Sequence, residues 1–289
     1  MGILTILFNR LDGEFLNILI LTYLTKGAFK YMKAYVTILT TDEYLDGVLV
    51  LNESLRSNKS KYKLLVVISK NISEKVEAIL KNKGMNTLRL NNKISIPESI
   101  KKFNEEKGFK HWNNTMDKLF IFEMSQYEKI VYLDSDMIVL QNIDHLFDYP
   151  NMSAVVAGKS YKGNETWKNL NSGCMVIKPK KGIVEKFINI IPEVIEQRNI
   201  LGDQDILQVY YSNWEYDNLE LKEGYNMFYD YLDYYIKDLK YNINDIFIVH
   251  FVGKYKPWML TKKKILLHTF CLITHRNINQ LKIFMKYIY

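Results

Sequence analysis

Four short apolar runs, YVTIL (35–39), KLLVVIS (63–69), TLRL (87–90) and KIVYL (129–133), alternate with stretches whose apolar residues recur at helical spacing. Leu45, Val48, Leu49 and Leu55 mark one such helix face. Ser73 is placed to cap a second helix through Val76, Ile79 and Leu80, with Gly84 as its stop. A third helix is expected over 114–123. Near-continuous apolar strands divided by helices require a sheet covered on both faces, which parallel strands with crossover helices supply. The expected class is therefore α/β, with a mostly parallel, Rossmann-like central sheet. Further on, CMVIKP (174–179) and IFIVHF (246–251) read as strands, and Ile183 to Ile195 as one strongly amphipathic helix. No repeat, low-complexity tract or Pro/Gly-rich linker divides the chain, which favours one domain. In such sheets ligands bind beyond the carboxyl ends of the strands, near a topological switch point.

Charge distribution narrows the partners. The net charge of +7 arises at one end: no Asp or Glu follows Asp245, whereas eight Lys and Arg residues do. The remainder carries 31 basic against 32 acidic residues and has no basic stripe with interleaved aromatics, which argues against nucleic acid. The segment 262–289 is basic and rich in Leu, Ile and Phe; it reads as a separate tail, either peripheral on an anionic membrane or packed as a helix. Only Cys174 and Cys271 are present, too few for a disulfide framework, and low cysteine usage fits a reducing, cytoplasmic setting. At the other end the apolar run FLNILILTYLT (15–25) is too short to cross a bilayer, which needs ~20 residues, and lacks signal-peptide features. Residues 1–34 are expected to be an extension, either a packing helix or sequence preceding a natural start at Met32.

Two motifs carry chemistry. In VYLDSDMIVL (131–140), Asp134 and Asp136 follow the apolar core of a strand. Two carboxylates in that spacing can reach one divalent cation such as Mg²⁺ or Mn²⁺, although D-x-D alone also suits a solvated turn. In HFVGKYKPW (250–258), His250 ends an apolar strand, Gly253 permits a turn or a close approach, and Lys256 supplies a point charge suited to phosphate. Two acids, an imidazole and a lysine are what a metal-bound diphosphate needs.

With these motifs in family order, the chain resembles the glycogenin-like retaining glycosyltransferases, glycosyltransferase family 8 of the GT-A fold. The matching stretches are YVTILTTDEYLDGVLVLNESL (35–55), KIVYLDSDMIVLQNIDHLFD (129–148), NSGCMVIKP (171–179), GDQDIL (202–207) and HFVGKYKPW (250–258). The resemblance implies a GT-A domain over 35–261 that transfers a hexose, glucose or galactose, from a UDP-sugar to a glycan, lipid-linked or protein acceptor. It maps Mn²⁺, with Mg²⁺ as the alternative, onto Asp134, Asp136 and His250. Ile38, Thr40, Thr41 and Tyr44 would surround the uridine, Ser135 the ribose, and Gly253 and Lys256 the diphosphate. Asn171, Ser172, Asp203 and Gln204 would line the sugar, with Lys118 beside the donor; Asp203, Gln204 and Lys118 are the catalytic candidates. The bond to the departing UDP develops negative charge as it breaks, which a divalent ion and Lys256 would stabilise.

Several readings stay open at this level. Asp203 precedes a helical pattern and is also placed to cap it. Ile200 stands where glycogenin-type members carry an acid, and Ala157 or Gly158 where the family often has another. The position of the priming tyrosine in self-glycosylating members falls at Asp233, among the tyrosines of YDYLDYY (229–235). A homodimer is compatible with the resemblance. The competing enzyme class is a haloacid-dehalogenase-type phosphatase, which also uses strand-D-x-D but places it at the first strand and normally has Thr or Val where Ile138 stands.

Overall fold

The computed structural model describes residues 32–198, 201–253 and 255–287. The expectations for residues 1–31 and for Ile200 lie outside the described residues. The first four strands are β1 (Met32–Leu39), β2 (Leu64–Ile68), β3 (Asn86–Arg89) and β4 (Tyr127–Leu133). They are followed by β5 (Met137–Val139), β6 (Ala154–Val155), β7 (Asn171–Ile177), β8 (Glu220–Leu221), β9 (Met227–Phe228) and β10 (Ile248–His250). Seven of these form the central sheet in the order β3-β2-β1-β4-β7-β6-β8. Its first four strands are parallel neighbours, whereas β7 runs antiparallel to β4 and β6. A small sheet, β5-β10-β9, stands beside it.

The alternation of β1 explains its unbroken apolar sequence. Val36 and Ile38 enter one core with Val67, Ile130 and Tyr132, while Tyr35 and Leu39 enter the opposite core with Val66, Ile68, Val131 and Leu133. Each fully buried Val or Leu contributes roughly 1.5–3 kcal/mol, so both faces of the strand are anchored. β1 begins at Met32, three residues inside the expected extension, because Met32 to Ala34 pair with β4. The chain then visits β2 and β3 on one side of β1 and β4 on the other. This reversal opens a crevice past the carboxyl ends of β1 and β4, where Thr40 and Asp134 emerge.

Helices α1 (Leu45–Ser57), α2 (Glu74–Asn82) and α3 (Glu98–Glu106) accompany the parallel strands. Ser73 caps α2 by accepting from the Val76 N–H, and Gly84 turns the chain out with φ +71°. The helix expected over 114–123 is instead a 3₁₀ run, Lys110–Glu123. Met116, Leu119, Ile121 and Phe122 are buried along it, together with Asp117 and Lys118. The single helix expected to reach Ile195 is two, α4 (Ile183–Asn189) and α5 (Ile191–Arg198). Pro192 causes the break: it lacks an N–H, and its ring crowds the carbonyl of residue 188.

The last elements are α6 (Asp203–Tyr210), α7 (Leu232–Lys237), α8 (Lys262–Thr274) and α9 (Ile278–Lys286). The tail folds as the α8–α9 pair docked on α7. Buried Asp233 accepts from the Gln280 N–H at 2.9 Å and from Asn279 Nδ2 at 3.1 Å, holding the first turn of α9. Position 233 is thus occupied by a buried anchor with no acceptor hydroxyl. Neighbouring Tyr229 and Tyr235 are buried as well.

Candidate active site

The end of β4, the end of β10 and the start of α6 converge on the crevice. Asp134 is held by its backbone N–H to Gly173 O, and the Phe251 N–H donates to Asp136 O, so both acids are tied to neighbouring strands. One ligand atom each from Asp134, Asp136 and His250 lies within 4.8 Å of the others. His250 Nε2 is 3.1 Å from Asp136 Oδ1 and 3.8 Å from Asp134 Oδ2. Donors sharing one small divalent ion with bonds of ~2.1 Å lie roughly 3–4 Å apart, so the spacing suits a metal. Two hard oxygens and an imidazole nitrogen suit Mn²⁺ in particular.

Two buried lysines flank the acids. Lys118 comes from the 3₁₀ run and reaches Asp134 Oδ1 at 3.0 Å, Asp203 Oδ2 at 2.8 Å and Ser172 Oγ at 3.1 Å. Burial alone would lower its pKa, but Asp134 and Asp203 outweigh burial and hold it above the usual lysine range. Lys256 reaches Asp136 Oδ2 at 2.8 Å, and its ammonium also donates to the carbonyls of Phe251 and Gly253. Burial pushes the Asp136 carboxyl up, yet His250 and Lys256 together pull it below the usual carboxylate range. Three carboxylates against two ammonium groups leave a deficit of positive charge at the strand ends.

Asp203 does not cap α6. Gly202 is the N-cap residue, and Asp205 Oδ2 accepts its N–H at 2.9 Å. Freed from that task, the buried Asp203 carboxylate accepts from Ser172 Oγ at 2.7 Å as well as from Lys118. Gln204 Oε1 accepts from Asn171 Nδ2 and from the Ser172 N–H, both at 3.0 Å. Beside Asn171 and Gln204 opens a cavity of about 330 Å³, walled also by Trp167, Gln208 and Phe228.

The opposite side of the crevice is the β1–α1 turn. Ile38 is buried, Thr40 and Thr41 are half-buried, and Tyr44 lies with its ring centroid 5.9 Å from Lys256 Nζ. Burial, with Asp136 and Asp134 nearby, pushes the Tyr44 phenol up to about 12. Among the described residues, the buried Thr41 Oγ1 and Trp258 Nε1 have no hydrogen-bond partner. Ser135, between the acids, presents its backbone to α1, and a Cβ on Gly47 would sit 2.4 Å from Ser135 O. Gly47→Ala therefore displaces the peptide between the two carboxylates. A loss of about 1–3 kcal/mol in stability is expected, with weaker metal response. Urea unfolding and Mn²⁺ titration of activity check this; wild-type values in both would show that the contact relaxes freely.

Of the residues singled out from the sequence, Asp134, Asp136, His250, Lys118, Ser172, Asp203 and Lys256 are joined by direct polar contacts. Gln204 joins them by its hydrogen bond to Ser172, and Asn171 by its bond to Gln204; Ile38 packs in the core of the sheet. Sequence reasoning missed Tyr132, whose hydroxyl donates to Asp134 Oδ1 at 2.6 Å, and the close-approach glycines Gly47 and Gly173. It also passed over Asn226, fully buried against His250. An isolated glycine inside the α1 pattern was a usable signal for Gly47. Asn226 offered none beyond its place before a short apolar pair.

A parallel α/β sheet whose strand ends hold two carboxylates, an imidazole and buried lysines defines a glycosyltransferase of the GT-A class. The sequence profile of Glycosyl transferase family 8 matches residues 35–262, and the chain belongs to that family. It is a retaining glycosyltransferase, and the phosphatase alternative falls with that assignment. An uncharacterised protein of Acanthamoeba polyphaga mimivirus is 29% identical over 244 residues, 78% of this chain and 82% of that protein. Glycogenin-1 of Homo sapiens is 30% identical over 236 residues, 79% of this chain but 63% of its own length. In fold, the galactosyltransferase LgtC, solved with donor and acceptor sugar analogues, superposes with a TM-score of 0.54 at 18% identity. That superposition covers 78% of this chain and 89% of LgtC.

Proposed function

We propose that the protein transfers a hexose, glucose or galactose, from a UDP-sugar to a glycan or lipid-linked acceptor. The observation that carries this reading is the convergence of Asp134, Asp136 and His250 beside buried Lys118 and Lys256 at the switch point of the sheet. These three residues would hold Mn²⁺, with Mg²⁺ as the alternative. When bound, the ion supplies Lewis-acid stabilisation of the diphosphate leaving group. Ile38, Thr40, Thr41 and Tyr44 take the nucleoside, and the unpartnered Thr41 hydroxyl supports that role. Ser135 takes the ribose. Gly253 and Lys256 take the diphosphate, the ammonium exchanging Asp136 for phosphate oxygens. Asn171, Ser172 and Gln204 orient the sugar. Asp203, neutralised by Lys118, is a weak nucleophile, which favours attack of the acceptor on the face from which UDP leaves. The cavity bordered by Trp167 and Gln204 receives the acceptor, where an exposed indole suits the apolar face of a sugar ring.

The test is UDP release and product mass with UDP-glucose, UDP-galactose and UDP-N-acetylglucosamine, each with Mn²⁺ and with EDTA. Turnover with one UDP-hexose that EDTA abolishes is expected; no turnover with any donor sinks the reading. Intact-protein mass in the same assay reports self-glycosylation.

The α8–α9 pair supports a peripheral contact with the cytoplasmic face of an anionic membrane. Leu266, Leu267, Phe270 and Ile273 of α8 are exposed, with Ile278 and Met285 of α9 on the outer side. Thr269 touches Met285, which brings the two apolar stretches together. Only positive charges accompany them, and each near an anionic surface contributes about 1 kcal/mol. Among the described residues no helix is long and apolar enough to span a bilayer. Cosedimentation with phosphatidylglycerol vesicles is expected, with little on phosphatidylcholine and loss in Leu266→Asp/Phe270→Asp. Concentration-dependent dimerisation without vesicle binding would assign the face to a second copy instead.

A further inference from the structure

A chain of side-chain amides joins His250 to Gln204, and two backbone N–H groups fix its polarity. The Ser172 N–H donates to Gln204 Oε1 and the Gly173 N–H to Asn171 Oδ1, both at 3.0 Å. A backbone N–H can only donate, so both side-chain atoms facing them are oxygens. Asn171 therefore turns its Nδ2 towards Gln204 Oε1, at 3.0 Å. Asn226 can meet Asn171 Oδ1 only with its own Nδ2, at 2.7 Å. That leaves Asn226 Oδ1 facing His250 Nδ1 at 2.9 Å. An amide oxygen only accepts, so Nδ1 carries the proton.

With Nδ1 committed to Asn226, Nε2 is the ring nitrogen turned towards Asp136 and Asp134; it meets Asp136 Oδ1 at 3.1 Å, the side from which a cation shared with the two acids would take it in place of a proton. Burial makes the assignment rigid: Asn226 is fully buried, so water cannot substitute for either partner. Gly173 closes on the ring from another side, since a Cβ there would lie 2.8 Å from His250 Cε1.

We propose that Asn226 is a positioning residue that holds His250 in the tautomer presenting Nε2 to the divalent cation. Through Asn171 it ties that ligand to Gln204 at the sugar end of the site. The proposal rests on the metal assignment made above. Partners that orient a ligating histidine typically change metal affinity 10–100-fold when removed.

The experiment measures Mn²⁺ affinity by calorimetry without donor for the unaltered protein, Asn226→Ala and Asn226→Asp, with far-UV circular dichroism as the fold control. Nitrogen-15 spectra of the metal-free protein at alkaline pH report the His250 tautomer. Asn226→Ala should bind Mn²⁺ about 10–100-fold more weakly. Asn226→Asp keeps an acceptor for Nδ1 but loses the Nδ2 donor that meets Asn171 Oδ1 at 2.7 Å, so its Mn²⁺ affinity should fall between those of Asn226→Ala and the unaltered protein. The spectrum should show the Nδ1–H tautomer. An Nε2–H tautomer, or Mn²⁺ binding unchanged in Asn226→Ala, overturns the proposal alone. Failure of the unaltered protein to bind Mn²⁺ overturns the metal reading together with it. Should Asn226→Ala not fold, the His250 spectrum of the unaltered protein still decides.

Discussion

Asp134→Asn is expected to lower metal-dependent sugar transfer at least about a hundredfold while leaving the fold in place. The side chain is about the same size, so the Tyr132 hydroxyl at 2.6 Å keeps an acceptor. Lys118 loses one of its two carboxylates but keeps Asp203 at 2.8 Å, so the buried ammonium is not orphaned. The cost to stability is therefore that of one charged hydrogen bond, roughly 1.5–3 kcal/mol. What the variant cannot keep is the negative charge that draws a divalent ion to the strand end. Mn²⁺ titration of turnover, beside a urea melt of the metal-free protein, separates the two effects. Turnover equal to the unaltered protein would remove Asp134 from the metal site.

The contrast between local and long-range information runs through this molecule. Asp134, Asp136 and His250 stood out in the sequence because each interrupts or ends an apolar strand, a conflict visible within ten residues. The parallel half of the sheet was legible for the same reason. The pairing of Lys118 with both Asp134 and Asp203 was not, because the latter residue lies 85 positions away and its approach depends on β7 and α6 meeting. Helix capping stood as the lesser alternative for Asp203, and only the fold shows Gly202 and Asp205 in that role. Where local rules were misapplied, the reasons are specific. An apolar run does not distinguish a 3₁₀ from an α-helix over 114–123, whereas Pro192 announces the break between α4 and α5. The tail shows the opposite limit. Its charge was plain, yet its docking rests on Leu272, Ile283 and Phe284 packing against Tyr229, Leu232 and Tyr235 and on the buried Asp233 carboxylate, contacts between residues about forty or more positions apart.

Lys118→Met should be the most destabilising single change in the site. A methionine fills much of the space of the lysine stem but leaves Asp134 and Asp203 facing one another without their shared cation. Removing one partner of a buried ionic group costs about 3–5 kcal/mol, because the remaining charge stays desolvated. The pH dependence identifies the cause. In the unaltered protein the folded pKa of Lys118 lies above its unfolded value, so its contribution is fully present below the unfolded lysine pKa of about 10.4. It fades only as pH rises through the still higher folded value, so the gap between the two proteins should be flat across neutral pH. In Lys118→Met two like charges stay side by side with no cation between them, a repulsion that acid relieves, so acidification narrows the gap. Adding Asp203→Asn should restore part of the loss at neutral pH, since one of the two uncompensated charges is then gone. Urea unfolding of the single and double variants from pH 4 to 8 makes the measurement. A gap that is constant with pH and indifferent to Asp203→Asn would mean that Lys118 stabilises the site by packing its stem rather than by balancing the acids.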